Sequence, residues 1–433
     1  MSVPDICGWS ALAPATPHYP TLMGAQSADF VVIGGGFTGL AAARRLADGA
    51  PGARVVLIDG KKIAGGASAR NSGFAVAHES PGHAQLHTPS GLATYQSMNR
   101  IDRAGVSELR HLVDRFQIEC QWEDTGSIHA AHSPSFFDGL RNHVDVFGSL
   151  GIDARLVERE ELASRLGTGF YRLGVETRGG ALLQPAMLAQ GLAASLPTAV
   201  ECFENSPARS LHHENGAWTV RLSDGTIRSK HVIVAVNAFF PRLGLKRLRV
   251  VPLALTASLT RVLTEAEERE IGFAASWGVL SPGSLGATMR LTRDRRILIR
   301  NTAEYLPNGV DSGMLAARHK EHAAGLRRRF PFLDENAIAF SWSGTICISR
   351  NAKPVFERSQ PGLYLCGCYN ASGVSRGTIM GKLIADLALG EQSDLLDEAL
   401  TLVKPTLLPP RPFLDIGARL RLSAERKNAR TER

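Results

Sequence analysis

Three glycines carry the first chemistry of this sequence. Gly34-x-Gly36-x-x-Gly39 follows the apolar run Asp29–Ile33 and leads into the alanine-rich run Leu40–Ala47. An acid, Asp59, stands 20 residues after Gly39, at the end of a second apolar run, Arg54–Asp59. Read as strand, turn, helix and strand, this is a dinucleotide fingerprint. The first glycine permits the tight turn. The second lets a pyrophosphate approach the backbone, and the third lets helix and strand pack closely. Phe37 and Thr38 lie in the turn, where the start of the helix presents N–H groups to phosphate. Asp59 is set to accept a hydrogen bond from the adenosine ribose. The fingerprint alone does not separate NAD from FAD.

A second small-residue loop follows: Gly65-Gly66-Ala67-Ser68-Ala69-Arg70-Asn71-Ser72-Gly73. Small residues let a backbone lie against a flat ring, and Ser68, Arg70 and Asn71 supply hydrogen-bond donors. Together with the fingerprint, this loop resembles the D-amino-acid-oxidase-like (DAO) family of FAD-dependent oxidoreductases. There the Ser-x-Arg-Asn-x-Gly segment runs along the pyrophosphate and isoalloxazine. The resemblance covers nearly the whole chain. His18-Tyr19-Pro20-Thr21-Leu22 is similar to the arm of members near gamma-glutamylputrescine oxidoreductase. Ser206-Pro207-Ala208-Arg209 stands where the family backbone touches adenine, and Ala235-Val236-Asn237-Ala238 resembles its element beside the ADP part. Trp342-Ser343-Gly344-Thr345, with Arg350 and Pro354 after it, resembles the Trp-x-Gly segment before the last strand. Cys368-Tyr369-Asn370-Ala371-Ser372-Gly373-Val374 resembles the closing flavin loop. A helix starting near Gly373 would direct its N-terminus at the flavin end where reduction places negative charge.

The resemblance implies an α/β fold: a Rossmann-like FAD-binding domain of DAO type with an inserted mixed-sheet substrate domain. It implies FAD held without a covalent bond, since Cys347 does not align with the thioether position of sarcosine-oxidase-like members. It implies oxidation of a C–N bond in a small amine or amino acid, with hydride passing to flavin, the imine then hydrolysing, and oxygen or another carrier accepting the electrons. No second fingerprint follows a strand, and the closing loop lacks the Gly-Asp pair of flavin hydroxylases. The rival readings are an NAD(P)H-using reductase or hydroxylase, and a non-catalytic nucleotide-binding module. Arg300-Asn301 replaces the Gly-Gly of many members. Arg300 would meet an acidic substrate group, a carboxylate or phosphonate, or form a buried structural ion pair. Ala371-Ser372 replaces a Gly-His pair. Arg350, His78, Arg290 and Tyr369 complete the candidates for the substrate side.

The elements that must position these residues can also be read. Residues 92–118 carry Ile101, Val106, Leu109, Leu112, Val113 and Phe116 at helical spacing. Pro185 opens another helix. Asp224-Gly225 marks a hairpin, and the uniformly apolar His231–Ala238 reads as a buried parallel strand. Leu363–Cys368 is a last strand, leading into a helix over Gly373–Leu389. On this reading 1–27 is an extended arm, and 28–90, 166–246 and 345–395 form the FAD domain. Residues 91–165 and 247–344 form the substrate domain, and 396–433 a basic tail.

Composition limits the alternatives. With 44% hydrophobic and 21% charged residues and 43 glycines in 433, the chain is neither disordered nor fibrous. No run of about 18 apolar residues and no secretory leader pattern stands out. The six cysteines show no metal spacing; Cys366 and Cys368, two apart on one strand face, read as buried thiols, and a reducing cytoplasm fits. The net charge of +8 concentrates in Arg318–Arg329 and Arg411–Arg433. With no nucleic-acid signature beside it, this charge reads as a solvated face and a tail that covers the protein's own surface in preference to a membrane.

Overall fold

The computed structural model describes residues 3–15, 17–80, 88–307 and 309–433. Two large sheets dominate the fold, each of eight strands among the described residues. At the centre of the first lies Gly24–Ile33, parallel to Val55–Ile58 on one side and Gly225–Val234 on the other. Val200–Phe203 extends the sheet beyond Val55–Ile58, and Leu363–Gly367 extends it beyond Gly225–Val234, both parallel. Phe30–Ile33 and Val55–Ile58 are buried throughout, as parallel strands covered on both faces must be. The Asp224-Gly225 turn folds Ala217–Arg221 back antiparallel onto Gly225–Val234.

Helices Phe37–Gly49 and Ser375–Leu389 cover one face of this sheet in direct contact. Gly381 permits it: a Cβ there would meet the Thr38 carbonyl oxygen at 2.2 Å. Helix Pro89–Arg115 lies against Ser375–Leu389 and gives Ile101, Leu109, Leu112 and Val113 to the same core. The helix read from spacing over 92–118 begins earlier, where the Thr88 hydroxyl accepts the Gly91 N–H. It ends earlier too, before Gln117 turns left-handed at φ 51°.

The second sheet runs in the order Ile338–Ile348, Val251–Thr260, Ile297–Glu304, Thr288–Leu291, Trp277–Leu280, Ser127–Ala131, Leu173–Thr177, Ala154–Glu158. It is mixed, with the parallel contact between Trp277–Leu280 and Ser127–Ala131. One face packs Met289, Ile297 and Ile299 against Leu326 and Phe330 at the end of helix Ser312–Arg329. The other face meets the first layer, where Leu259, Leu298 and Trp342 pack with Ala69 and Ala186.

The N-terminal arm departs from the extended segment read in the sequence. Gly8–Leu12 is a short helix, and Trp9, 1% exposed, sits in that same cluster between the layers. Its indole N–H donates to the Asn71 carbonyl at 2.8 Å, and Gln184 Nε2 donates to the Trp9 carbonyl at 2.7 Å. Burying one large ring and satisfying its N–H overrides a stretch with no periodic pattern.

Candidate active site

The fingerprint turn is built by contacts that only glycine allows. Gly34 has φ 111°, and a Cβ there would meet the Ala235 carbonyl oxygen at 2.6 Å. At Gly39 a Cβ would stand 1.7 Å from the Gly34 carbonyl oxygen. The Gly35 N–H donates to Asp59 Oδ2 at 2.8 Å and the Lys61 N–H to Oδ1 at 2.7 Å. Burial raises the Asp59 carboxyl pKa, and these two N–H bonds pull it back. Each oxygen keeps a lone pair for a further donor. The strand end also touches the Ala208 segment, since the Ser206 N–H donates to the Asp59 carbonyl at 2.8 Å.

The second loop closes directly on this turn. Ser68 Oγ accepts the Phe37 N–H at 2.9 Å, and a Cβ on Gly36 would reach it at 2.7 Å. Asn71 donates to the Ser68 carbonyl at 2.7 Å and accepts the Gly73 N–H at 2.8 Å, fixing the bend around Ser72. Gly66 and Ala67 stay exposed at its start. Arg70 points away from the turn: its Nη1 donates to Asp5 Oδ1 at 2.9 Å and to the Ser343 carbonyl at 2.8 Å. It ties the arm and the second sheet to the loop.

The closing loop stores unusual backbone. Cys368, Asn370 and Ala371 are left-handed at φ 58°, 52° and 83°. Asn237, itself at φ 47°, accepts the Cys368 N–H at 3.0 Å, and Asn370 accepts the Ser349 N–H at 2.9 Å. Tyr369 shares a hydrogen bond of 2.8 Å with Thr38 Oγ1, so its hydroxyl joins this loop to the fingerprint helix. The helix begins at Ser375, just beyond Gly373 and the capping Val374. The turn at Cys368 also corrects one expectation. Cys366 faces the helix-covered core and Cys368 the core on the opposite side of the sheet, because the strand ends at Gly367.

Across from these loops the second sheet presents two arginines. Arg290 is paired with Leu298 and Arg300 with Thr288, so strand alternation puts both guanidinium groups on the face that carries Leu298 and Trp9. A bulge between the Thr256–Thr302 and Ser258–Ile299 pairs shifts the register beside them. Arg290 is fully buried. Its Nη1 donates to the Leu183 carbonyl at 2.5 Å and the Gly73 carbonyl at 3.3 Å, and its charge lies 5.4 Å from the Trp9 ring centre. Its Nε and Nη2 have no partner among the described residues. Half-buried Arg300 donates to Thr288 Oγ1 at 2.5 Å. Burial drives both side chains down to about 10. The nearby Arg295, Arg296 and Arg318 each face a carboxylate; among the described residues neither Arg290 nor Arg300 forms a salt bridge.

The sequence profile of the DAO family, FAD dependent oxidoreductase, matches residues 29–387. The chain belongs to this family. It is 27% identical over 400 residues to a probable oxidoreductase, OrdL, of Rhizobium meliloti (strain 1021), covering 90% of each chain. It is 26% identical over 394 residues to gamma-glutamylputrescine oxidoreductase of Escherichia coli (strain K12), covering 88% of each. Among solved structures, glycine oxidase from Geobacillus kaustophilus superposes with a TM-score of 0.69 at 19% identity, over 85% of this chain and 96% of that one. L-amino acid deaminase from Proteus myxofaciens gives 0.71 at 15% identity, over 88% and 94%. Those two share the fold. The DAO cofactor is FAD, and the residues present fit it. The turn is a cradle that Cβ atoms at Gly34 and Gly39 would fill, and beside it the half-buried Asp59 carboxylate keeps free lone pairs.

Set against this DAO frame, Tyr369, His78 and Arg350 do not converge with Arg290 and Arg300. Arg300 lies on the inner sheet face. Tyr369 spends its hydroxyl on Thr38. His78 is buried 6.4 Å from the Phe147 ring, with its pKa lowered by burial, and Arg350 is exposed past the end of its strand. Sequence reasoning also missed an ion pair beneath the closing loop. Arg376, in the first turn of helix Ser375–Leu389, meets Asp102 through two bonds of 2.8 and 2.6 Å and donates to the Tyr369 carbonyl at 3.2 Å. Glu79 joins it at 3.1 Å and accepts from the Ser372 hydroxyl. Burial pushes Asp102 up to about 7 against the pull of Arg376. Two signals were readable. A cation in a first helical turn opposes the helix dipole. Asp102 interrupts the apolar stripe of Ile101, Val106 and Leu109.

Proposed function

We propose that this DAO-family enzyme oxidises the C–N bond of a small amine or amino acid that also carries an acid group, which Arg300 and Arg290 hold. One observation supports the reading: two guanidinium groups on one inner sheet face, diagonal neighbours on paired strands, neither in a salt bridge among the described residues. An uncompensated buried cation is costly, and an anionic ligand relieves that cost. The likeness to gamma-glutamylputrescine oxidoreductase supports an amine substrate.

In this reading the first layer holds FAD and the second holds the substrate. Gly34, Gly36 and Gly39 admit the pyrophosphate, Asp59 takes the ribose, and the loops at Ser68–Gly73 and Tyr369–Val374 frame the ring. Bound FAD supplies the two-electron acceptor for the hydride on the carbon next to nitrogen. The chain's own part is positioning. Arg300 and Arg290 fix the acid group, Thr288 orients Arg300, and Trp9 and Trp342 keep water from the interlayer space. The amine reacts uncharged, and the imine product takes up water to give a carbonyl compound and ammonia or a smaller amine.

The test is an anaerobic absorbance titration of the holoenzyme with amines and amino acids that bear or lack a further carboxylate or phosphonate, and with NAD(P)H. Bleaching by the acid-bearing amines is the expected result. Arg300→Gln should raise their KM by about ten- to a hundredfold with kcat little changed. Equal bleaching by neutral amines would remove the acid anchor and leave amine oxidation standing. Bleaching by NAD(P)H alone would favour a reductase or hydroxylase, and a protein that takes up no flavin would favour a nucleotide-binding module.

A further inference from the structure

The tail does more than cover the protein's own surface. Helix Phe413–Asn428 packs Leu414, Ala418 and Leu422 inward, onto the cluster of Val251, Leu253 and Leu408. A surface helix normally has one apolar stripe. This one has a second on its opposite side: Phe413, Ile416 and Leu420, exposed by 67%, 55% and 67%. Helical spacing places Arg419 and Arg421 on either flank of that outer stripe, both exposed.

The patch continues into the preceding segment. Of the fourteen strongly exposed large apolar side chains among the described residues, six lie between Leu400 and Leu420. Leu248, also exposed, is bound to this run through the Leu408 N–H, which donates to its carbonyl at 2.8 Å. Arg247, Lys404, Arg411 and Lys427 in the same segments are exposed, with Lys404 paired to Glu357 and Arg411 to Asp415. Residues 402–433 hold eight Lys or Arg against three Asp or Glu. Among the described residues no helix is long and apolar enough to cross a membrane.

We infer that this face docks on an anionic lipid surface, with the Phe413–Asn428 helix lying in the interface plane. Apolar side chains on the outer stripe enter the headgroup boundary, and the flanking arginines meet lipid phosphates. Charge decides against a second copy of the chain as occupant, since two such basic faces repel each other at close range. The inference does not depend on the substrate of the enzyme.

The holoenzyme should sediment with vesicles of phosphatidylcholine and phosphatidylglycerol, bind vesicles of phosphatidylcholine alone far more weakly, and detach as salt is raised. Phe413→Asp, Ile416→Asp and Leu420→Asp combined should weaken binding by about tenfold or more while flavin content and turnover stay at wild-type values. Arg419→Gln with Arg421→Gln should remove most of the preference for the anionic lipid. Absence of binding at low salt would overturn the inference, as would equal binding by the triple-aspartate variant. Dimerisation in light scattering that the triple variant abolishes would also overturn it, by assigning the face to a second copy.

Discussion

At the fingerprint turn the architecture rests on backbone; on the second sheet the proposed acid anchor rests on two side chains. Gly34 and Gly39 matter for what they lack, because a Cβ at either would strike a carbonyl oxygen. Arg290 and Arg300 matter for what they carry across strands that meet through tertiary pairing alone. A backbone site tolerates no added atom, whereas a side-chain site can lose its functional group and keep its frame. The two layers should therefore fail differently when altered.

Gly39→Ala gives the sharpest break. Its new Cβ would sit 1.7 Å from the Gly34 carbonyl oxygen, so the helix must move off the turn. The expected cost is about 3 kcal/mol or more, with loss of bound flavin. Flavin absorbance per mole of protein and a thermal melt check it. Arg300→Gln, measured beside it, should keep its flavin. If Gly39→Ala binds flavin like the wild type, the division between backbone and side-chain sites falls.

The next effect tests whether the first layer also relies on a side-chain pair. Arg376 and Asp102 are each 2% exposed and face one another through two bonds. Arg376→Met leaves a buried carboxylate unpaired, an expected loss of about 3–5 kcal/mol in chemical denaturation. Combining it with Asp102→Leu should recover more than half of that loss. Additive losses in the double variant would mean that the two residues act separately.

How much was legible follows the same division. The fingerprint, the acid at Asp59 and the strands around them could be read because a βαβ unit is local and its glycine requirements are steric. The hairpin at Asp224-Gly225 was legible for the same reason. The inner face of the second sheet was not. Which of Arg290, Arg300 and Asn301 points inward depends on pairing with Thr288–Leu291 and on the bulge beside Thr256, neither written in a short window. Arg376 and Asp102 lie 274 residues apart, so their pairing was visible only as two local oddities. Trp9 was missed because a ring buried by partners from distant strands leaves no periodic trace.

The smallest effect separates the layers by pH. In the second sheet and its helix, burial holds His129 down at about 4 and His322 at about 3. Both stay neutral in the fold, while in the unfolded chain an imidazole takes up a proton below about 6.5. Their stabilising share is thus full above pH 6.5 and drains away as pH falls toward 4 and 3. In the first layer Asp102, raised to about 7, has the opposite sign: the fold keeps its proton where the unfolded chain has lost it, so its share is full in acid and drains as pH rises from 4 to 7. Subtracting a variant isolates one term. His322 shares a 2.7 Å hydrogen bond with Ser258 Oγ, and His322→Gln retains a polar partner there. Between pH 6 and pH 5 the wild type should lose about 1.2 kcal/mol more than this variant in guanidinium unfolding. Parallel losses would mean that His322 is already protonated in the fold, and the second layer would then owe its acid sensitivity to other groups.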